Sequence, residues 1–249
     1  VAGVPLRSRI MLFRAVYVIN PPRGLHGAAP ATFVCRAIRY AADMGADIIN
    51  ISSAGPNACG YERAAIEYAA DHEVVIVGAA GNEVEDNPQY PASYETILSV
   101  AATSDLHDGR ADLSAYGLTI DLAAPGLNVH TTAAPNTYRD ADGTSLSSPI
   151  VAGLAALVKS AHPDWDRRQI TTQLIATADN VDSCNPTFEG LLGAGRVNVR
   201  RAVDRQILGP HPRLISTTAQ YTGYDNPLGQ STAEVYATIR NFAYPWGHI

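Results

Sequence analysis

Long apolar runs and clusters of basic residues are both missing from this sequence. The longest apolar stretches, 74–80 and 150–158, are far shorter than the roughly 18–20 residues that a membrane-spanning helix needs. The 18 Lys and Arg residues are scattered and outnumbered by 24 Asp and Glu, so the chain has a formal net charge of −6. Because binding to nucleic acid or to an anionic membrane requires a basic surface, we expect neither of them as a partner.

Cysteine is scarce as well. Cys35, Cys59 and Cys184 are three in number and widely spaced, which excludes the close pairing of a zinc site and a dense disulfide framework. The sequence still allows one disulfide between two of these cysteines. The sequence contains no initiator methionine and no signal peptide, and we expect it to be an internal piece of a longer protein. The 46% of hydrophobic residues and only 17% of charged residues are typical of a folded chain.

The first 125 residues alternate between short apolar strands and helical patterns. Strands are predicted at 9–18, 47–51, 74–80, 97–103 and 120–124, and helices at 31–44 and 61–71, with Gly45 closing the first helix. The strands are apolar throughout rather than alternating, which indicates a parallel sheet covered on both faces. The predicted fold class is therefore α/β with helices on both sides of a mainly parallel sheet.

Two further helices are predicted after a region of loops rich in Asp, Ser, Gly and Pro. The run 145–160 has no polar face over its apolar middle, as expected of a helix buried on all sides. Pro149 is placed in its first turn, where the missing N–H does least damage. Asp164 is predicted to cap the next helix, which continues to Ile175.

The character of the sequence changes after Val203. The runs 214–221 and 233–240 are rich in Thr, Val, Ile and Tyr, and turn-forming residues at 223–229 separate them. We predict a first domain at 1–205 and, at 206–249, a β-rich extension that begins a truncated β-sandwich module, since two strands alone are marginally stable.

The most informative stretch is Gly-Thr-Ser-Leu-Ser-Ser-Pro-Ile-Val-Ala-Gly at 143–153, a polar turn of small residues that leads into the buried helix. Ser145 would lie at the helix N-terminus, where free N–H groups and the helix dipole favour developing negative charge. By the residues alone, Thr144 or Ser145 could equally be a plain N-cap. The stretch resembles the serine motif of the subtilases, the subtilisin-like serine peptidases, and the resemblance implies that Ser145 is the nucleophile.

A second block, Val-Val-Ile-Val-Gly-Ala-Ala-Gly-Asn-Glu at 74–83, ends a buried strand in a Gly-Asn turn. The turn by itself needs no function, because Asn tolerates left-handed backbone geometry. The block is similar to the subtilase strand that supplies the oxyanion-hole asparagine. That resemblance implies that the Asn82 amide and the Ser145 backbone N–H stabilise the tetrahedral intermediate.

A third block, at 47–56, resembles the subtilase strand whose end forms one wall of the substrate cleft. An extended peptide can add beside such an edge by backbone hydrogen bonds, and bulk there would block it. The residues that the resemblance assigns to substrate binding are Ser52, Ser53, Ala54 and Gly55 here, together with Ala79, Ala80 and Gly81 in the second block. An ordinary strand end with a Gly-Pro turn is the alternative reading.

Weaker correspondences follow in the same order along the chain. Tyr90-Pro91 looks like the family's Tyr-Pro turn, in which the peptide bond is expected to be cis. The Ala-Pro-Gly turn at 124–126 and the Gly-x-Gly-x-x-Asn run at 193–198 are also similar to subtilase segments. The resemblance extends from about Gly3 to Val203.

The family's Asp-Ser/Thr-Gly and His-Gly-Thr motifs do not occur in this sequence. A serine nucleophile needs a histidine to remove its proton and an aspartate to orient that histidine. His26-Gly27 is the one His-Gly pair, but Ala28 follows it, and we interpret His26 as an exposed loop residue. The opening 1–6 looks like the segment after the family's histidine helix, so the aspartate and histidine are expected upstream in the full-length protein.

The resemblance implies a serine endopeptidase that hydrolyses polypeptide substrates through an acyl-enzyme on Ser145, with this chain alone inactive. The alternatives are an inactive peptide-binding or scaffold relative, and an enzyme that transfers the acyl group to an amine. No cofactor and no metal ligands are predicted. The resemblance allows a structural calcium ion, and it implies an extracellular or cell-envelope location.

Overall fold

A computed structural model describes residues 4–5, 7–15, 17–19, 26–28, 30–84, 86–104, 107–204, 212–221 and 233–241. The chain divides into two compact units, 1–207 and 208–249. The predicted domain boundary at 205/206 stays a prediction. The turn predicted at 223–229 lies outside the described residues, as do residues 1–3 and 6 of the opening segment.

The larger unit is built on four parallel strands. They are β3 (Ile48–Ile51), β4 (Val75–Ala79), β5 (Ile97–Thr103) and β6 (Leu122–Pro125), preceded by a small antiparallel pair, β1 (Tyr17–Ile19) and β2 (His26–Ala28). The sheet order β3-β4-β5-β6 follows the sequence, and the register pairs Ile48 with Val75 and Ile76 with Ile97. β4 and β5 are buried along their whole length, which explains their apolar composition.

Helices flank the sheet in the three-layer arrangement that the sequence predicts. α1 (Ala31–Asp43) and α2 (Gly60–Asp71) pack on each other and share a core with strand residues such as Ile76 and Ile97. α3 (Thr144–Ala161) contacts all four strands and is followed by α4 (Arg167–Ala176) and α5 (Val199–Asp204). By length and composition α3 could cross a membrane, but Val151, Leu154 and Val158 are fully buried inside this unit.

Several local expectations are wrong. Residues 8–15 form no strand and are largely exposed, and the pairing begins only at Tyr17 in β1. Pro149 is the sixth residue of α3 and so lies beyond the first turn. The cap of α4 is Asp166 rather than Asp164, because Asp166 and Gln169 form a reciprocal capping box.

Two corrections concern chain segments interpreted as loops. His26 begins strand β2 and does not lie in a loop. The loop-rich region before the serine motif contains an antiparallel hairpin of β7 (Val129–Ala133) and β8 (Thr137–Ala141). The cis peptide bond expected at Tyr90-Pro91 is present, and a second one occurs at Ala134-Pro135.

The Gly-x-Gly-x-x-Asn segment closes the larger unit through its backbone and Asp179. Gly195 has φ 105°, and its carbonyl accepts the N–H of Ala123 in β6. Burial opposes ionisation of Asp179, but hydrogen bonds from Asn198, Arg196 and Arg201 outweigh it and lower the pKa of this carboxyl group.

The smaller unit contains β9 (Pro212–Tyr221) and β10 (Ala233–Asn241), which pair antiparallel with a bulge between Thr238 and Ile239. The sequence predicts both strands. Their membership of a β-sandwich stays a prediction.

Candidate active site

The carboxyl ends of β3 and β4 meet the N-terminus of α3. Ser52 follows β3, Asn82 lies three residues after β4, and Ser145 is the second residue of α3. A cavity of about 180 Å³ opens between them. Its lining consists of Ser52, Ala54, Ala79, Gly81, Asn82, Glu83, Gln89, Thr144 and Ser145.

Three residues assigned to substrate binding by sequence do not line this cavity. Ser53 is exposed outside it. Gly55 lines an adjoining cavity of about 540 Å³ and exchanges two backbone hydrogen bonds with Tyr90. Ala80 is buried, packs in a core cluster with Ile120, and donates its N–H to the Val100 carbonyl. The Ala80 side chain therefore cannot contact a ligand in the cavity.

Asn82 is held in one orientation by Thr144. Both the backbone N–H and the hydroxyl of Thr144 donate to Asn82 Oδ1 at 3.0 Å. Since an N–H can only donate, the atom facing it must be the amide oxygen, and Nδ2 points away from it. Nδ2 donates to no residue in the described part of the chain, so it is available to a ligand.

The Ser145 hydroxyl lies at the mouth of the same cavity. Ser145 is half-buried, and its Oγ donates to the Ser52 backbone carbonyl at 3.1 Å. Because Ser145 is in the first turn of α3, its own backbone N–H is among those that the helix leaves without a partner. The positive end of an 18-residue helix is therefore directed at the space beside Oγ.

Glycines fix the turn that presents Ser145. Gly143 has φ 143°, and its N–H donates to the Gly126 carbonyl at 2.8 Å. A side chain on Gly126 would lie 2.6 Å from the Ala102 Cβ and would also meet the Ser147 hydroxyl. The close approach of these two turns thus explains the glycine of the Ala-Pro-Gly sequence.

Sequence reasoning missed three residues that line the cavity. Thr144 was considered only as a cap, although its Oγ1 accepts the Gly81 N–H as well as donating to Asn82. Gln89 is 5% exposed, and its Cγ lies 2.9 Å from where a Gly81 Cβ would be. Glu83 adds an exposed carboxylate. The glycine at position 81, which has a positive φ, is the one feature of this contact that the local sequence could indicate. The approach of Gln89 is a tertiary contact, which no local pattern shows.

No histidine or carboxylate hydrogen-bonds to Ser145 within the described residues. Of the four histidine side chains that the structure describes, His72 bonds to the Tyr68 carbonyl, His130 pairs with Asp140, His162 stacks on Trp165, and His107 is exposed. The described residues also contain no group of three or more His, Cys, Asp or Glu that could hold a metal ion. The structural calcium ion that the resemblance allows stays a prediction, because backbone carbonyl and amide oxygens can also hold calcium. Cys35, Cys59 and Cys184 are unpaired.

Comparison with known proteins gives a consistent result. Residues 16–229 match the model of the subtilase family, described as peptidase S8. Subtilisin Savinase of Lederbergia lenta is 35% identical over 179 residues, which are 72% of this chain and 64% of that protein. The alkaline protease of Alkalihalobacillus alcalophilus is also 35% identical over 179 residues, and the match covers 46% of its length. The chain thus spans less than two thirds of either relative.

Solved structures show the same similarity in three dimensions. The patellamide maturation protease PatA has a TM-score of 0.65 and 29% sequence identity. The match covers 70% of this chain and 68% of that structure. A TM-score of this size over most of the chain indicates that the arrangement of strands and helices is shared.

Proposed function

Because the chain belongs to the subtilase family of serine peptidases, we propose that it forms part of a serine endopeptidase in which Ser145 attacks the peptide carbonyl. The observation that carries this proposal is the fixed Asn82 amide: Thr144 holds Oδ1, and Nδ2 is left free in the cavity that contains Ser145. A donor held in advance costs no reorganisation when charge develops.

In the proposed reaction, Oγ bonds to the carbonyl carbon as the Ser145 hydroxyl gives its proton to the histidine proposed upstream, which later passes it to the departing amine. The carbonyl oxygen becomes an oxyanion, which Asn82 Nδ2 and the Ser145 backbone N–H stabilise at the positive end of α3. Collapse of the intermediate expels the amine and leaves an ester on Ser145. Water then hydrolyses this ester.

The substrate lies in the cleft between the ends of β3 and β4. Ser52, Ala54, Ala79 and Gly81 line the cavity with small side chains, which leaves room for an extended polypeptide. Gln89 packs beside Gly81 and lines the same cavity, so we expect it to limit the size of side chain that can enter.

The general base and its orienting aspartate are proposed to come from a segment upstream of residue 1. Asp-Ser/Thr-Gly and His-Gly-Thr motifs are absent from the sequence, and Ser145 Oγ bonds to a carbonyl rather than to a histidine. A serine without a base retains only a small part of triad catalysis. We therefore propose activity for the full-length protein and expect this chain alone to be inactive.

The proposal is tested by labelling the full-length protein with a fluorophosphonate probe, followed by peptide mapping. We expect one modified residue, Ser145, and no modification in Ser145→Ala. Ser160→Ala, which changes an exposed serine at the other end of α3, should label as the unmodified protein does. If a folded full-length protein carrying both upstream motifs leaves Ser145 unmodified, the proposal is wrong.

A second candidate function is binding of peptides without hydrolysis. It is favoured by the hydrogen bond from Ser145 Oγ to the Ser52 carbonyl, which occupies the hydroxyl in the absence of a base. The coding sequence upstream of residue 1 separates the two candidates, because the scaffold hypothesis requires that one or both triad motifs be missing there. Calorimetric titration with an unreactive peptide would then show binding that Ser145→Ala retains.

Further proposals follow from the resemblance. We propose an extracellular or cell-envelope location and a separate β-rich module at 206–249. Neither calcium nor any other cofactor enters the proposed reaction.

A further inference from the structure

We propose that Ser52 is a positioning residue, whose hydroxyl replaces the helical hydrogen bond that Pro149 cannot donate to the Ser145 carbonyl. The catalytic consequence of this inference rests on the proposed function. The hydrogen bond itself does not, and it can be measured in a protein without activity.

The Ser145 carbonyl lacks its usual helical hydrogen bond because of the sequence of α3. In a helix the carbonyl of residue i accepts the N–H of residue i+4, and the partner of Ser145 is residue 149. Pro149 has no N–H, and its ring also crowds the carbonyl four residues earlier. The Ser145 carbonyl therefore lacks the N–H that would come from position 149 in a regular helix.

Ser52 supplies a donor at that position from another element. Its Oγ donates to the Ser145 carbonyl oxygen at 3.1 Å, across 93 residues of sequence. The backbone carbonyl of Ser52 in turn accepts the Ser145 hydroxyl at 3.1 Å. Two reciprocal hydrogen bonds thus join the residue after β3 to the nucleophile at the start of α3.

Two other side chains fix the direction of the Ser52 hydroxyl. Asn50 Nδ2 donates to Ser52 Oγ at 2.9 Å, and the buried Ser148 hydroxyl lies 3.0 Å from the same atom. A hydroxyl has one proton and two lone pairs. Because the Ser145 carbonyl can only accept, its hydrogen bond takes the single proton of Ser52, and the Ser148 hydroxyl is then the donor to the remaining lone pair of Ser52 Oγ.

This geometry bears on catalysis through the Ser145 backbone. The Ser145 N–H and Oγ must both reach the same carbonyl group of the substrate, and small displacements of such groups are costly. A shift of the Ser145 carbonyl that carries the Ser145 Cα with it would move both of them. Ser52 therefore acts through the position of Ser145 and need not contact the reacting atoms.

The first experiment observes the hydrogen bond directly. Ser145-Leu146 is the one Ser-Leu pair in the sequence, so labelling with ¹³C-carbonyl serine and ¹⁵N-leucine gives a single carbonyl-to-amide NMR signal. We expect Ser52→Ala to shift the Ser145 carbonyl resonance upfield, and Ser160→Ala to leave it in place. An unchanged resonance in Ser52→Ala would overturn the proposal.

Restoring the missing helical donor provides the second test. Pro149→Ala introduces an N–H at position 149, which can bond to the Ser145 carbonyl in the absence of the Ser52 hydroxyl. We expect the double variant S52A/P149A to return the carbonyl resonance toward its value in the unmodified protein. A shift that persists in the double variant would show that Ser52 acts on Ser145 by another route, and the proposal would be wrong.

Kinetics of the full-length protein then measure the effect on the reaction. Loss of one such hydrogen bond should lower kcat about 2- to 10-fold in S52A with KM nearly unchanged, and the loss should be smaller when P149A is the reference. A rise in KM alone would contradict a positioning role. Inactivity of every variant, including the unmodified protein, would count against the proposed function while the NMR result still decides the role of Ser52.

Discussion

Replacing Thr144 with valine tests the hydrogen-bond network that holds Asn82. The side chain is 1% exposed, and its hydroxyl both accepts the Gly81 N–H at 3.2 Å and donates to Asn82 Oδ1 at 3.0 Å. Valine keeps the shape of threonine but can do neither. The Asn82 oxygen retains the Thr144 backbone N–H, whereas the buried Gly81 N–H loses this acceptor.

The loss of stability in T144V comes mainly from the buried Gly81 N–H. A buried donor left without a partner costs about 1–3 kcal/mol, so the free energy of unfolding should fall by this amount. For a urea slope of about 3 kcal/mol/M, the midpoint should move down by about 0.3–1 M. The assay is urea unfolding followed by circular dichroism, with the slope compared between variants.

Thr132→Val provides the matched control, because it makes the same change at an exposed position of β7. Its free energy of unfolding should stay within about 0.5 kcal/mol of that of the unmodified protein. A T144V protein that unfolds at the same urea concentration as the control would refute the network. In an active full-length protein, T144V should also lower kcat, since Asn82 then has one fewer restraint.

Three other substitutions have predictable effects. Gly126→Ala forces a Cβ into contact with a buried neighbouring side chain and should destabilise the protein by about 1–3 kcal/mol in urea unfolding; an unchanged midpoint would contradict the tight contact between the two turns. Asp166→Ala removes the α4 capping box and should cost about 1 kcal/mol in the same assay, whereas Asp164→Ala should have little effect. Asp179→Asn should lower the free energy of unfolding at neutral pH, because the folded-state pKa of this aspartate is depressed. This loss of stability in D179N should be fully present above the unfolded pKa of about 3.9, and it should disappear as the pH falls through the lower folded pKa. A stability difference that does not change with pH would exclude the charge of Asp179 as its cause.

Local signals in the sequence predict most of the larger unit. Apolar segments predict β4 and β5, and a glycine predicts the end of α1. Each of these signals depends on neighbouring residues alone. The segment at 9–15 was assigned wrongly to a strand for the same reason. Its apolar side chains fit the pattern of a strand, but a strand also requires a hydrogen-bonding partner, which the pattern cannot reveal.

In the candidate site too, local motifs predict some residues, and only the folded chain reveals the others. The motifs at Ser145 and Asn82 are contiguous in sequence, and their residue types suit a helix start and a strand end. The resemblance assigns Ala80 to the cleft together with its neighbours, but successive side chains of an extended segment point to opposite sides, and that of Ala80 lies in the core. Gln89 was missed because it follows no motif and reaches Gly81 only through the folded chain.

The sequence by itself therefore determined the family, the α/β class and the identity of the candidate nucleophile, since short stretches of adjacent residues carry each of them. The tertiary structure decided how Ser145 is held. The donor to its carbonyl comes from Ser52, 93 positions away, and the restraint on Asn82 comes from Thr144, 62 positions away. Such contacts depend on how the sheet brings strand ends to a helix start, and no local pattern of residues records them.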